Sequence, residues 1–413
     1  MKIKVRHLTM ILIVCLITFC VQTADIKIGF VKISELILLL SAPFLFKRNI
    51  NKFLFYFLLF FTLETVLGLI TTSTLHFDIL GASSFKAPYR ITIARYFELV
   101  SCLILCLITF RLFQRHKEKA KLIIDYLVQW NIIITIFFAG IYILVLTGML
   151  PLNKSIIVYE DYRLRGFYNE GGPYGLMLSF IFMLTFFQTK SRTRTLTQLF
   201  LFIIIVFCAR SKAGALLIVV WIGMLNFQYL KMKFKVLAAP LLVVFLIGFY
   251  YLFINISSMY ITELNRVKQS VIERPDDPYL ILGRVSGTYI VPNMVKENPV
   301  FGIGLGNYPL LRNNAEYRAF FPKPTKELMT IDAHGFGGLV DILVEMGIFG
   351  LLLFTIIVFN LYNELRNRNK GYLFLTGFLL LFSFGVQLYF LYPWAFLGII
   401  LAYQNNYIDE ISN

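Results

Sequence analysis

Charge is scarce in this 413-residue chain: 15% of residues are Asp, Glu, Lys or Arg, 58% are hydrophobic, and the mean hydropathy is +0.73. Soluble domains carry about 25% charged residues, so a soluble domain is excluded, and the repeated apolar runs of about 20 residues read as membrane spans. Cysteine is sparse too. Cys15, Cys20, Cys102, Cys106 and Cys208 all lie in apolar runs, and none forms a CxxC pair or a loop framework, which excludes a disulfide scaffold. His7, His76, His116 and His334 are far apart and HExxH is absent, so no metal centre is written into neighbouring residues. Any chemistry is expected to run without a metal or other cofactor. There is no internal repeat, no low-complexity tract and no domain linker, so residues 1–413 are expected to form a single membrane domain.

The charge that is present is biased, with a net +16. No basic stripe with interleaved aromatics accompanies it, so nucleic acid is not the expected partner. The basic residues cluster between apolar runs, as cytoplasmic anchors do. A surplus outside those clusters suits an anionic substrate, with general charge bias as the alternative.

Apolar runs at roughly 8–21, 30–46, 53–74, 91–110, 127–150, 173–188, 196–209, 213–229 and 236–256 are followed by one that starts near His334 and by two more at 372–386 and 389–403. The first could pass for a signal peptide; a retained helix closes the count better. The basic clusters at 2–6, 47–52, 111–121, 190–194, 231–235 and 366–370 then all fall on one face, as the positive-inside rule requires. The expected fold is an all-α polytopic membrane protein of about twelve transmembrane helices, with both termini cytoplasmic. Loops 151–172 and 257–333 land together on the extracytoplasmic side, and the second is large.

A reaction needs polar groups held at the water interface, and three outer segments supply arginine. Arg163 and Arg165 precede Gly166, Arg210 sits with Ser211 and Lys212 in a tight turn between two apolar runs, and Arg284 follows Gly283. Guanidinium groups match phosphate oxygens in bidentate geometry and stay charged, so several converging would clamp a pyrophosphate leaving group. For any one arginine the alternative is an anchor that snorkels to the headgroups. Arg210 departs furthest from that alternative, because a charged turn between apolar helices is costly unless paired.

His334 is the one histidine at an outer junction of loop and span that also sits beside an acid, Asp332. It suits taking a proton from, or orienting, an attacking sugar hydroxyl, or simply marks a helix start. Asp341 and Glu345, deeper in the same helix, would pair with cations or support His334. Glu160, Asp161 and Glu170 are alternative bases. The pairs Lys32/Glu35 and Arg95/Glu98, spaced i, i+3, are expected to neutralise each other inside the bundle. The Gly-x-Gly-x-Gly at 302–306 lacks the strand–helix context of a dinucleotide fingerprint; its glycines would let the backbone turn tightly and approach a ligand.

Taken in order, Arg163-Leu164-Arg165-Gly166, Gly283-Arg284, Asn298-Pro299-Val300-Phe301-Gly302-Ile303-Gly304-Leu305-Gly306-Asn307-Tyr308 and His334, opening a helix with Glu345-Met346-Gly347-Ile348-Phe349-Gly350, resemble the O-antigen polymerase and O-antigen ligase superfamily of bacterial envelope glycan assembly. The motifs cover about 150–350, and the topology covers the whole chain. The resemblance implies a metal-independent, inverting glycosyltransferase of the cell inner membrane, taking a glycan from undecaprenyl pyrophosphate to a sugar hydroxyl. The acceptor would be a sugar or lipid-linked glycan, within membrane lipids, and a chain-length regulator protein is a further partner such an activity admits. Arg163 or Arg165, with Arg284, would bind the pyrophosphate, Arg210 matches a recurrent Ser-Arg-type turn, and His334 would act near the acceptor. Two positions depart from the pattern: Ala209 replaces the Ser before Arg210, and Gly335 follows His334 where Asn is more usual. Polymerisation of O-antigen or capsule repeats is the expected reaction, ligation of finished glycan to lipid A-core the alternative, and a flippase or transporter for lipid-linked oligosaccharide the non-enzymatic competitor. Aromatic Phe167, Tyr168 and Tyr174 would suit stacking on sugar faces.

Overall fold

A computed structural model describes residues 2–28, 31–45, 50–78, 87–152, 155–159, 162–188, 191–227, 262–329, 331, 333–366 and 371–408. The expected run at 236–256, the basic cluster at 231–235, and Glu160, Asp161 and Asp332 lie outside these residues.

The described chain is helical, with one two-stranded ribbon of β1 (Lys27–Ile28) and β2 (Val31–Lys32). Before the late loop run α1 (Lys2–Gln22), α2 (Ile33–Leu45), α3 (Lys52–Thr74), α4 (Arg90–Arg115), α5 (Ala120–Leu146), α6 (Gly171–Leu184), α7 (Arg192–Ile203) and α8 (Lys212–Phe227). The late loop is itself folded into α9 (Val267–Glu273), α10 (Pro278–Leu282), α11 (Arg284–Glu297), α12 (Tyr308–Leu311) and α13 (Lys326–Met329). The chain then returns through α14 (Leu339–Leu365), α15 (Gly371–Ser383) and α16 (Leu391–Gln404).

The all-α membrane class holds. Among the described residues, α3, α4, the helical stretch Lys117–Leu146 and α14 are long and apolar enough to cross a membrane. Their surfaces explain why. On α3, Phe55, Leu59, Leu63, Val66 and Ile70 are exposed at helical spacing, and on α14 so are Ile348, Leu352, Ile356 and Phe359. Such apolar stripes suit a helix that faces lipid, where their exposure carries no hydrophobic cost. Six shorter apolar helices among the described residues, including Gly171–Phe187 and Leu391–Gln404, accompany them. Near His334 the helix begins at Leu339, later than expected, because Gly337 and Gly338 have positive φ and break it.

The chain forms two compact units. The first holds residues 1–59, 97–222 and 355–413. Its core surrounds α16, buried from Leu391 to Tyr403. Phe180 packs on Tyr392 and Phe396, Phe187 stacks on Phe374 at 4.0 Å, and the buried Trp394 indole donates to the Leu388 carbonyl at 2.7 Å. Lys32 reaches Glu35 at 3.0 Å, as its spacing implied, and also Glu98 at 3.6 Å.

The second unit holds residues 60–96 and 223–354. Its organising feature is a break in α14 at Gly347, where φ is +67° and ψ −170°. The N–H groups of Ile303 and Gly304 donate to the carbonyls of Val344 and Glu345, while those of Ile348 and Phe349 donate to Pro299 and Val300. The glycine-rich run is therefore spliced into the helix break. Gly302, Gly304 and Gly306 all have positive φ. A Cβ on Gly302 would fall 2.5 Å from the Val344 carbonyl oxygen, and one on Gly304 2.9 Å from that of Gly68. Close approach was expected; its partner is the protein's own backbone. Asn307 fastens the run to α3 through Thr72 Oγ1 at 2.7 Å.

Candidate functional site

The candidate residues fall into two groups, one in each unit.

In the first unit residues 155–159 and 162–172 form a short hairpin closed by the Val158–Leu164 bridge and by the Tyr159 N–H donating to the Arg163 carbonyl at 2.8 Å. It docks on the turn that carries Arg210. The Leu164 N–H donates to the Cys208 carbonyl, and Ser211 Oγ donates to the Gly172 carbonyl at 2.9 Å. Gly171 is needed there, since a Cβ would lie 2.5 Å from the Ala209 carbonyl oxygen and 3.2 Å from Arg163 Cβ. Arg163 and the Arg210 turn are thus brought to one place. After α7 the helix widens into a π-turn over Ile204–Cys208, and Arg210 takes φ +50°. Left-handed backbone at a bulky residue costs about 1–3 kcal/mol and concentrates at functional sites. Its side chain is exposed, and Ser211 accepts from the Gly214 N–H to start α8.

Arg165 is differently employed. Its Nε donates to the Ile156 carbonyl at 2.9 Å, an NH group donates to Asn169, and the guanidinium lies over the Tyr159 ring. It braces the hairpin. Asp25 holds the far end by accepting from the Asn169 N–H, and burial pushes its carboxyl above the usual carboxylate range, against Lys32 and Lys27. The aromatics are also structural: Tyr168 is buried and donates to the Val21 carbonyl at 2.6 Å, and buried Tyr174 packs on Phe138. Glu170 is exposed just before α6.

In the second unit, Arg284 is exposed at the start of α11, one turn before Gly287. Gly287 lies against Gly335, its would-be Cβ 3.1 Å from the Gly335 Cα. Arg284 and His334 therefore belong to one neighbourhood. The imidazole of His334 is enclosed, 1% exposed, with Nδ1 3.2 Å from Oδ2 of Asp341, itself 6% exposed. Tyr308 lies nearly parallel to it, 5.7 Å between centroids and 16° between planes. The Tyr308 hydroxyl accepts from the Gly335 N–H, and burial raises its pKa. Glu345 is buried one turn beyond Asp341, accepts from the Gly306 N–H, and feels His334, Asp341 and Arg95.

Arg312 is the residue that sequence reasoning missed. It is 3% exposed, and its guanidinium donates to the carbonyls of Ala333 and Ile331 at 2.6 Å each and of Leu328 at 3.4 Å. It holds these carbonyls just before His334 in the chain. Its one signal was a position four residues after Tyr308, which puts both on one helical face. Among the described residues no group of His, Cys, Asp and Glu could hold a metal ion.

Compared with known proteins, residues 197–355 match the family model described as O-Antigen ligase. The resemblance to the O-antigen ligase and polymerase superfamily is thus shown over that stretch, which contains Arg210, Arg284, His334 and Glu345. No curated protein matches the chain.

Proposed function

On the strength of the match of residues 197–355 to the O-Antigen ligase family model, we propose that the protein is an inner-membrane, metal-independent and inverting glycosyltransferase that polymerises O-antigen or capsule repeats. The observation that carries the acceptor half is the enclosed His334–Asp341 contact, set one residue from the Gly335–Gly287 packing that brings in Arg284. The donor is a glycan on undecaprenyl pyrophosphate. An acceptor sugar hydroxyl attacks the anomeric carbon from the face opposite the pyrophosphate. The new C–O bond forms as the anomeric C–O bond breaks, its electron pair leaves on the pyrophosphate, and the hydroxyl proton passes to His334. Arg284, in the same unit as His334, supplies bidentate donors for the charge that grows on the leaving group; Arg163 and the Arg210 turn, brought together in the other unit, offer guanidinium groups suited to the same anionic chemistry, and Arg165 supports them by holding the hairpin. Since the imidazole is enclosed, the acceptor reaches it by parting the 333–336 segment from α11. Twelve spans with both termini inside would put both arginine-bearing loops on the outer face.

The family description favours a second reading, transfer of finished glycan to lipid A-core. A deletion strain separates the two. Surface glycan stopped at one repeat means polymerase; long polymer stranded on the lipid carrier means ligase. Repeats trapped on the cytoplasmic leaflet would mean a flippase instead, and an unchanged glycan with normal intermediates would overturn the assignment.

A further inference from the structure

We propose that Asp341 is the positioning residue for His334, fixing the imidazole as the tautomer that carries hydrogen on Nδ1 and presents Nε2 as the accepting nitrogen. The proposal rests on His334 acting at the acceptor hydroxyl, as above. His334 lies in the loop before α14, and Asp341 is in the first turn of that helix, so the carboxylate projects back toward the loop. The 3.2 Å contact is between Nδ1 and Oδ2. A neutral imidazole has one donor and one acceptor nitrogen, while an ionised carboxylate only accepts; the contact is a close charge-to-ring approach and not an aligned hydrogen bond, and a carboxylate oxygen 3.2 Å from Nδ1 favours a hydrogen on that nitrogen over a lone pair facing the charge. Which nitrogen is protonated is set by what the other bonds. Both side chains are enclosed, and in such a place the interaction is electrostatically stronger than in water.

The surroundings restrain the position of the ring. Tyr308 stacked at 5.7 Å restricts tilting, and Arg312, through Ala333 and Ile331, fixes the backbone just before the histidine. Among the described residues, the charged groups that face this cluster are Asp341 and Glu345 of α14, Arg95 of α4, and Arg312. When the acceptor hydroxyl attacks, Nε2 takes its proton, and the Asp341 carboxylate balances the imidazolium without itself being protonated.

The test uses the full chain in lipid nanodiscs with lipid-linked glycan as donor and acceptor, comparing wild type, Asp341→Asn, Asp341→Glu and His334→Ala. Asn can turn its amide NH2 to Nδ1 and so favour hydrogen on Nε2. Asp341→Asn is expected to keep its melting profile and KM while kcat falls at least about 100-fold. The acid limb of its pH–rate profile is expected to move to lower pH, because the imidazolium has lost its counter-charge. Asp341→Glu should recover part of kcat. Wild-type kcat and an unmoved pH profile in Asp341→Asn, with His334→Ala inactive, would overturn the proposal and leave the proposed function standing. Normal turnover by His334→Ala would overturn the acceptor-side reading itself, and the proposal with it. Should Asp341→Asn fail to fold, nitrogen-15 NMR of histidine-labelled wild type decides: hydrogen on Nδ1 of His334 supports the proposal, and hydrogen on Nε2 refutes it.

Discussion

Replacing Gly347 by Ala attacks the joint on which the second unit is built. At φ +67° and ψ −170° this residue occupies backbone that is essentially reserved for glycine, and another residue there costs about 1–3 kcal/mol. The added methyl would also sit 2.1 Å from the Val300 carbonyl oxygen. Relief requires the 299–301 backbone to move, which breaks the bonds from Ile348 N–H to Pro299 at 2.9 Å and from Phe349 N–H to Val300 at 3.1 Å. Each is worth about 0.5–1.5 kcal/mol net. Strain and lost bonds together give about 2–6 kcal/mol. Thermal unfolding of a protein this large need not be two-state, so hydrogen exchange at the Ile303, Gly304, Ile348 and Phe349 amides is the better assay. At about 1.4 kcal/mol per tenfold, the lower bound means exchange at least about 30-fold faster. Gly140→Ala is the control: its Cβ would meet nothing within 4 Å inside α5, and it should be neutral or stabilise by about 0.5–1 kcal/mol. If Gly347→Ala protects those amides as well as Gly140→Ala does, the helix break is not spliced to the glycine-rich run and the reasoning fails.

Arg312→Ala should release the carbonyls of Leu328, Ile331 and Ala333 and destabilise by about 3 kcal/mol or more, with turnover lost and Arg312→Lys unable to restore the three-way geometry; limited proteolysis of the 328–335 segment reads it. Arg165→Ala should loosen the hairpin between Ile156 and Asn169 and raise proteolysis within 151–172, whereas Arg210→Ala should abolish the glycan ladder with proteolysis unchanged. For Asp25, burial holds the folded pKa above the unfolded value, so the folded state binds the extra proton and stability falls as pH rises from about 4 through the folded pKa. Asp25→Asn should flatten that decline in melting temperature measured against pH.

The elements most legible in the sequence were those fixed by local chemistry. Helix α3 was expected at 53–74 and spans Lys52–Thr74; α4 and α6 lie close to their apolar runs. Hydropathy and helical spacing act over one or two turns, so they can be read without knowing what a helix packs against. The arginine turn at 210 and the glycines at 302–306 were also visible as breaks in pattern, because charge between apolar helices and repeated glycine each require a physical reason. Tertiary structure decided what those features do. Gly302 serves an approach to Val344 and Glu345, some forty residues on. Arg163 meets the Arg210 turn, while Arg165, two residues away, spends its donors on Ile156 and Asn169. Asp341 lies against His334, and Arg312 holds the Ala333 carbonyl just before it. Composition and periodicity could mark these side chains as polar groups that needed partners. Only the packing of distant segments, which brings backbone carbonyls and carboxylates within hydrogen-bond reach, could say which partner each one found.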